Sequence, residues 1–570
     1  MKKKVLSIFS LLLAATIFLT PAAKAYAASS AEMLKTMSFT TKSKVYDSSS
    51  KKVVTQTIYH NNILKDRKLF KGIDVSWHQA ANQKTTKIDW AKAHADGIDF
   101  AFVRIGARKT SSAGDLYEDT SANSHITSAL QNNINVGVYF FSQALTVEEA
   151  KAEAKYALKI LGKYNWNITL PVVFDYEFNN RLTSKKLSKS TMTKICDAFC
   201  SVIEDAGYTP AIYANYTMFK SYLTTSTLSK KYPIWLARYK YTATSNTLSG
   251  STAIPYADIT YPYEFWQFSS SGRVSGYSGN LDCNYWYKNT NIKTNALGAD
   301  SQTTSSIDLS WDEAGDAHNY IVYRYNNDTQ SYKRVGSTTN TSFSDSSLDS
   351  GSDYKYKVRC YWTIGGTKYY GKYSDIITTS TKPNKVSGVD FEVRNSTNLT
   401  LSWDSVKGAT KYRIYKYDKT SNSYKKIDEV DGNTTTYKVT GLTSATEHSF
   451  KVRAVRTSNG STYLGSYSDV FTTITKPLKV SKLTATSSEK KTATISFSKV
   501  KGADGYNVYR YDSSKEKWVR IKSITDGSTS FKQTGLTSKK TYKYRVRAFI
   551  NYNETTVYGL YSDAVSVKVK

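Results

Sequence analysis

Leu170-Pro171-Val172-Val173-Phe174-Asp175-Tyr176-Glu177 is a short apolar, β-branched run that ends in two carboxylates. Such a run predicts a buried strand whose end delivers its acids to the following loop. Side chains alternate along a strand, so Asp175 and Glu177 point the same way, with Cα atoms roughly 6–7 Å apart. At that distance one negative charge resists formation of the other, which holds one acid protonated near neutrality. A protonated acid beside an ionised one suits glycoside hydrolysis. The same pair would also be unremarkable as solvated acids at a strand end, so its surroundings decide.

Those surroundings alternate between short apolar runs and helix-like stretches. The runs occupy 72–76, 100–105, 136–141, 171–176, 210–213, 233–237, 265–268 and 281–286. Helical spacing covers 88–95, 150–161 and 189–206; Thr146-Val147-Glu148-Glu149 predicts a capping box, and Gly207 a helix stop. Strand and helix in alternation predict a parallel sheet, and eight strands over about 220 residues predict a closed barrel. The last three strands are separated by loops. The expected fold is therefore a β/α (TIM-like) barrel of five β/α units plus three closing strands.

In such barrels function sits where strands end. The polar residues found there are Asp74, Arg104, Tyr139, Tyr213, Tyr239, Trp266, Gln267, Asp282 and Asn284, beside Asp175 and Glu177. Each has a structural reading as well: Asp74 as a loop cap, Arg104 as an ion-pair partner, Trp266 as core. Acids and aromatic rings recurring at one end of successive strands favour a sugar site, because aromatic faces pack on pyranose rings.

After about residue 300 the texture becomes a repeat. Ile307-Asp308-Leu309-Ser310-Trp311 returns as Leu399-Thr400-Leu401-Ser402-Trp403 and Ala493-Thr494-Ile495-Ser496-Phe497, at spacings of 92 and 94 residues. Tyr356-Lys357-Val358-Arg359 returns as Phe450-Lys451-Val452-Arg453 and Tyr544-Arg545-Val546-Arg547, and Tyr-Ser-Asp closes each unit at Asp375, Asp469 and Asp563. Alternating strands with a buried Trp or Phe predict three β-sandwich modules in tandem, over 301–382, 383–477 and 478–570.

The N-terminus carries Lys2, Lys3 and Lys4, then an apolar stretch over 5–19, then Ala25-Tyr26-Ala27. That pattern predicts a signal peptide over 1–27 and a secreted, extracellular or wall-associated protein with no stable membrane span. Residues 28–69 form a polar segment with hairpin-like stretches at 44–46 and 53–59; the barrel is expected over 70–298. The formal charge of +31 falls to +27 without the first 27 residues, which suits extracellular polyanions such as anionic wall polymers. Residues 478–570, with 19 Lys and Arg against 7 Asp and Glu, are the best-placed contact. No recognition motif accompanies the charge, so nucleic acid is not expected as a partner. Four cysteines without metal-ligand spacing predict free buried thiols, and neither a metal nor a cofactor is expected.

Six motifs then occur in order: Gly72-Ile73-Asp74-Val75-Ser76 with Gln79, Phe102-Val103-Arg104, Val173-Phe174-Asp175-Tyr176-Glu177, Trp235-Leu236-Ala237-Arg238-Tyr239, Trp266-Gln267 and Asp282-Cys283-Asn284. Together, over about residues 70–290, the chain resembles glycoside hydrolase family 25, the Chalaropsis-type lysozymes or N-acetylmuramidases. The repeats resemble fibronectin type III modules. The resemblance implies cleavage of the β-1,4 bond between N-acetylmuramic acid and N-acetylglucosamine in peptidoglycan. It makes Glu177 the general acid and Asp175 its tuning partner, with Asp74 and Asp282 completing an acidic ring. Tyr139, Tyr239 and Trp266 would line the sugar groove, beside Arg104, Tyr213, Gln267 and Asn284. Two positions depart from the family pattern: Phe140 stands where a histidine is frequent, and Trp77 in Ser76-Trp77-His78-Gln79 offers an added stacking surface. Attack on the anomeric carbon by an enzymatic carboxylate or by the substrate's own 2-acetamido group stays open, with the family pattern leaning towards the latter. The competing readings are a wall-binding or adhesion protein without chemistry, and a glycosidase of another N-acetylated glycan such as chitin.

Overall fold

The computed structural model describes residues 39–47, 50–239 and 261–570. The expected signal peptide lies outside these. The described residues form two compact units: one holds those up to Lys293 with Ala314–His318 and Cys360–Lys372, and the other holds the remainder.

In the first unit eight strands close a barrel: β1 (Lys68–Val75), β2 (Ile98–Arg108), β3 (Asn135–Ser142), β4 (Val172–Tyr176), β5 (Pro210–Asn215), β6 (Ile234–Ala237), β7 (Phe265–Gly272) and β8 (Leu281–Lys288). Strands β1 to β7 run parallel in sequence order; β8 lies antiparallel between β7 and β1 and closes the ring. Every expected apolar run became one of these strands.

Helices α1 (Trp90–Ala95), α2 (Ala122–Gln131), α3 (Val147–Tyr164) and α4 (Lys189–Asp205) connect the early strands. Helix α2 was not anticipated: its sequence, Ala-Asn-Ser-His-Ile-Thr-Ser-Ala-Leu-Gln, carries too few apolar residues to show a stripe, although Ala122, Ile126 and Ala129 are buried. Thr146 caps α3 by accepting from Glu149 N, but the Glu149 carboxylate accepts from Leu145 N, one residue before the cap, so the expected box is shifted. Gly207, at φ +83°, follows α4 as its sequence requires. Strands Phe39–Asp47 and Lys52–His60 form a full antiparallel hairpin, wider than the two stretches suggested, and the first reaches β7 at Val45 and Gly272.

The strands sort their side chains by alternation. Phe174 and Tyr176 point outward into a shell core with Ile195, Phe199 and Ile203 of α4. The interior is filled by rings: Phe102 stacks on Trp235 at 4.3 Å and meets Phe265 at 5.0 Å, while Phe265 stacks on Trp286 at 5.7 Å. Gly72 and Gly137 admit these rings, since a Cβ at either would sit 2.4 Å from Phe100 or Phe102.

From Gly298 onward the strands build three β-sandwiches, each a three-stranded sheet facing a five-stranded one. Trp311, Trp403 and Phe497 are buried in them, as the repeat predicts. The four cysteines are free and buried.

Candidate active site

The carboxylates converge because strand ends do. Asp74 is the next-to-last residue of β1 and is directly paired in register with Asp282 of β8. Asp175 sits one residue from the end of β4, next to Tyr213 of β5, and Glu177 follows the strand.

Burial sets their chemistry. Desolvation pushes Asp74 up to about 6, against the hydrogen bonds from Asn284 and Gln267 that favour its charge. It pushes Glu177 up to about 7, with the Asp74 charge adding to the effect and Tyr213 offsetting part. Asp175 is driven well above the carboxylate range by burial, then by Glu177 and Asp74; Asp282 is driven up by burial, then by Asp74 and Glu177. The four acids form one electrostatic unit that retains protons at neutral pH.

Gln267 is the hub that orients them. Its Nε2 donates to Asp74 Oδ2 at 2.8 Å, while its Oε1 accepts from Tyr213 at 2.8 Å and from the Tyr239 hydroxyl. Asn284 Nδ2 donates to the same Asp74 oxygen at 2.8 Å, and its Oδ1 accepts from Trp235 Nε1 at 2.8 Å. Trp235 also meets Tyr213 at 4.5 Å and Tyr139 at 6.1 Å, forming the floor under the acids. Of the buried side-chain polar atoms without a hydrogen-bond partner among the described residues, two belong to this site: Asp175 Oδ1 and Arg104 Nη2.

Of the expected site residues, Asp74, Asp175, Glu177, Asp282, Tyr139, Tyr213, Tyr239, Gln267 and Asn284 belong to this network. Arg104 joins it through its charge on Asp175, while its Nε is committed to Asp119 Oδ2 at 2.9 Å. Trp77 donates its backbone N–H to that Asp119 oxygen and stacks its ring on His78 at 3.8 Å. Trp266 is not brought in. It is 2% exposed, with its ring edge-on to His60 and packed beside Phe268, because the residue before an inward Gln267 must face outward. Phe140 likewise faces outward, against Phe199 and Tyr156, so no polar contact at the mouth depends on it.

Sequence reasoning missed the supports. Gln143 Nε2 donates to the Glu177 carbonyl at 2.9 Å, and its own carbonyl accepts from Arg181 Nη1 at 2.6 Å. Arg181 pairs in turn with Glu149 at 2.7 Å. Behind them Glu153 accepts from Arg108 Nε and Ser142 Oγ, both at 2.6 Å. Only the position of Gln143, just past the end of β3, hinted at a role.

Residues 73–277 match the family model for glycosyl hydrolases family 25. These residues are a family 25 glycosyl hydrolase domain. Residues 384–466 match the fibronectin type III domain model, which is the second sandwich. Lysozyme M1 of Streptomyces globisporus is 27% identical over 218 residues, covering 37% of this chain and 66% of its own. Exoglucanase B of Cellulomonas fimi is 25% identical over 331 residues, 54% of this chain and 28% of that protein. The chain thus spans less than two thirds of the length of either curated relative. Among solved structures, a family 25 glycosyl hydrolase from Bacillus anthracis aligns over 40% of this chain and 92% of its own at 22% identity and TM-score 0.31. The spore cortex lytic enzyme SleM of Clostridium perfringens aligns over 55% and 99% at 17% identity and TM-score 0.35. Asp74, Asp175 and Glu177 lie inside the matched residues of the family 25 domain, whereas Asp282 lies just beyond them.

Proposed function

We propose that this chain is an exported peptidoglycan hydrolase that cleaves the β-1,4 bond between N-acetylmuramic acid and N-acetylglucosamine. The observation that carries the reading is the ring of four acids, their affinity for protons raised by burial and by one another's charge inside a family 25 domain. Among the described residues no helix is long and apolar enough to cross a membrane. The barrel is read as five β/α units closed by three strands, with boundaries at 70–298, 301–382, 383–477 and 478–570. The strongly basic last segment suits anionic wall polymers.

In this mechanism Glu177, protonated up to about pH 7, gives its proton to the glycosidic oxygen as the bond to the anomeric carbon breaks. Its Gln143 bracket fixes the backbone from which it acts. Asp175 faces the anomeric centre; Oδ1, which lacks a partner, is free to stabilise developing positive charge or to orient the 2-acetamido group of the substrate. Asp74, locked by two amides, supplies the charge that keeps Glu177 protonated, and Asp282 shares it. Tyr139, Tyr213 and Tyr239 provide hydroxyls and ring faces for the sugar.

Digestion of purified peptidoglycan, followed by mass spectrometry of the released muropeptides, tests the reading. New N-acetylmuramic acid reducing ends are expected from the native chain, with release reduced about 10²–10⁴-fold in Glu177→Gln. No new reducing ends would leave a wall-binding protein, and preferential digestion of chitin would leave a different glycosidase.

A further inference from the structure

The Tyr-Ser-Asp motif that closes each sandwich has no part in hydrolysis, yet it builds the same surface three times. Ser374, Ser468 and Ser562 each accept from, and donate back to, a central-strand valine: Val358, Val452 and Val546, at 2.7–3.0 Å. The clamp sets the preceding tyrosine over two cations of that strand. In the first sandwich Lys357 lies 3.8 Å from the Tyr373 centroid and 4.3 Å from Tyr332, and Arg359 lies 4.7 Å from Tyr373. In the second, Lys451 lies 4.4 Å from Tyr424, and Arg453 lies 4.7 Å from Tyr467. In the third, Arg545 takes the lysine position, 3.5 Å from Tyr561 and 4.4 Å from Trp518, and Arg547 lies 3.8 Å from Tyr558.

The two cations stand two residues apart on one strand, so both face the same side about 6–7 Å from each other. Rings on either side hold them in place, which removes most of the rotamer entropy that a ligand contact would otherwise cost. Stability alone would need the rings and cations but not the accompanying field. Lys and Arg against Asp and Glu number 9 to 9 over residues 301–382, 14 to 9 over 383–477 and 19 to 7 over 478–570. The third face also exchanges Lys for Arg and Tyr for Trp, giving planar donors that suit phosphate and a larger stacking surface.

We propose that the outer face of the five-stranded sheet in each sandwich, most strongly the third, binds a phosphodiester-linked cell-wall polymer. Its phosphates would lie on the ladder cations and its sugar or polyol units on the rings. The choice of a wall polymer as the source of phosphodiester rests on the hydrolase reading; the anion-binding face does not.

The test uses the full chain carrying Glu177→Gln, so that walls are not digested, co-sedimented with bacterial walls rich in polyol-phosphate polymer. Adding Arg545→Gln with Arg547→Gln is expected to weaken binding about 10-fold, whereas Lys539→Gln with Lys540→Gln, an equal loss of charge, changes it less than about 3-fold. Walls stripped of phosphodiester polymer are expected to lose most binding. Trp518→Ser, which keeps both cations, is expected to weaken binding about 3-fold and decides the matter if the arginine variant fails to unfold cooperatively. Equal losses in the two charge variants, undiminished binding to stripped walls, unchanged binding in Trp518→Ser, or equally tight binding of single-stranded DNA would each overturn the proposal. Polymer binding without release of reducing ends by the native chain would fell the hydrolase reading and leave this face standing.

Discussion

The barrel mouth and the sandwich faces use charge in opposite ways. At the mouth, four acids of one sign are crowded and desolvated, so that the site stores protons. On the sandwiches, cations of one sign stay half-exposed and are spaced by rings. The mouth is built once, from residues on different strands; the face is built three times from one local motif. Crowded burial makes a reagent, and spaced repetition makes a surface.

The sharpest way to break this contrast is to relieve the crowding. Asp74→Asn removes a charge that raises Glu177, Asp175 and Asp282, and it sets an amide against the amides of Gln267 and Asn284. Wall hydrolysis is expected to fall about 100-fold, equivalent to about 2.7 kcal/mol, and the alkaline limb of the pH profile to move towards acid. An unmoved limb would separate the acids from one another.

A second measurement reads the strain of the mouth in stability. The folded pKa of Glu177 is raised to about 7 from an ordinary value of 4.5, so its ionisation opposes folding. The folded state holds the extra proton between those values, and stability is therefore lost as pH rises through them. Glu177→Gln is expected to stabilise the barrel by about 1–3 kcal/mol at pH 8 and by little at pH 4, measured by chemical denaturation at both. A penalty at pH 8 would contradict burial as the source of the shift.

The smallest effect belongs to the sandwiches. Ser468→Ala removes the 2.9 Å bond to Val452 N and is expected to cost about 1 kcal/mol, confined to the second sandwich in hydrogen exchange. Hydrolysis of short soluble substrates should be unaffected.

The strands were legible because each is a short apolar run between polar stretches, and the acids because strand ends deliver them. Alternation was legible too but unevenly applied. Trp266 and Gln267 are neighbours on one strand, so they cannot both face the mouth, and the structure gives it to Gln267. The supports were hidden for a different reason. Gln143 reaches the Glu177 carbonyl and Asp119 reaches Arg104 through hydrogen bonds between distant elements, and no local pattern marks such a bond. Helix α2 escaped because tertiary packing, rather than its own stripe, defines its buried face.

The rings beneath the acids have a consequence for how a polymer is handled. Phe100, Phe102, Trp235, Phe265 and Trp286 plug the barrel from wall to wall, and Gly72 and Gly137 exist as space for two of them. A glycan cannot thread a plugged barrel. A glycan strand taken by the proposed hydrolase would lie across the open end and leave by the side it came from, so branches and cross-links elsewhere on it would not need to pass through the protein at all.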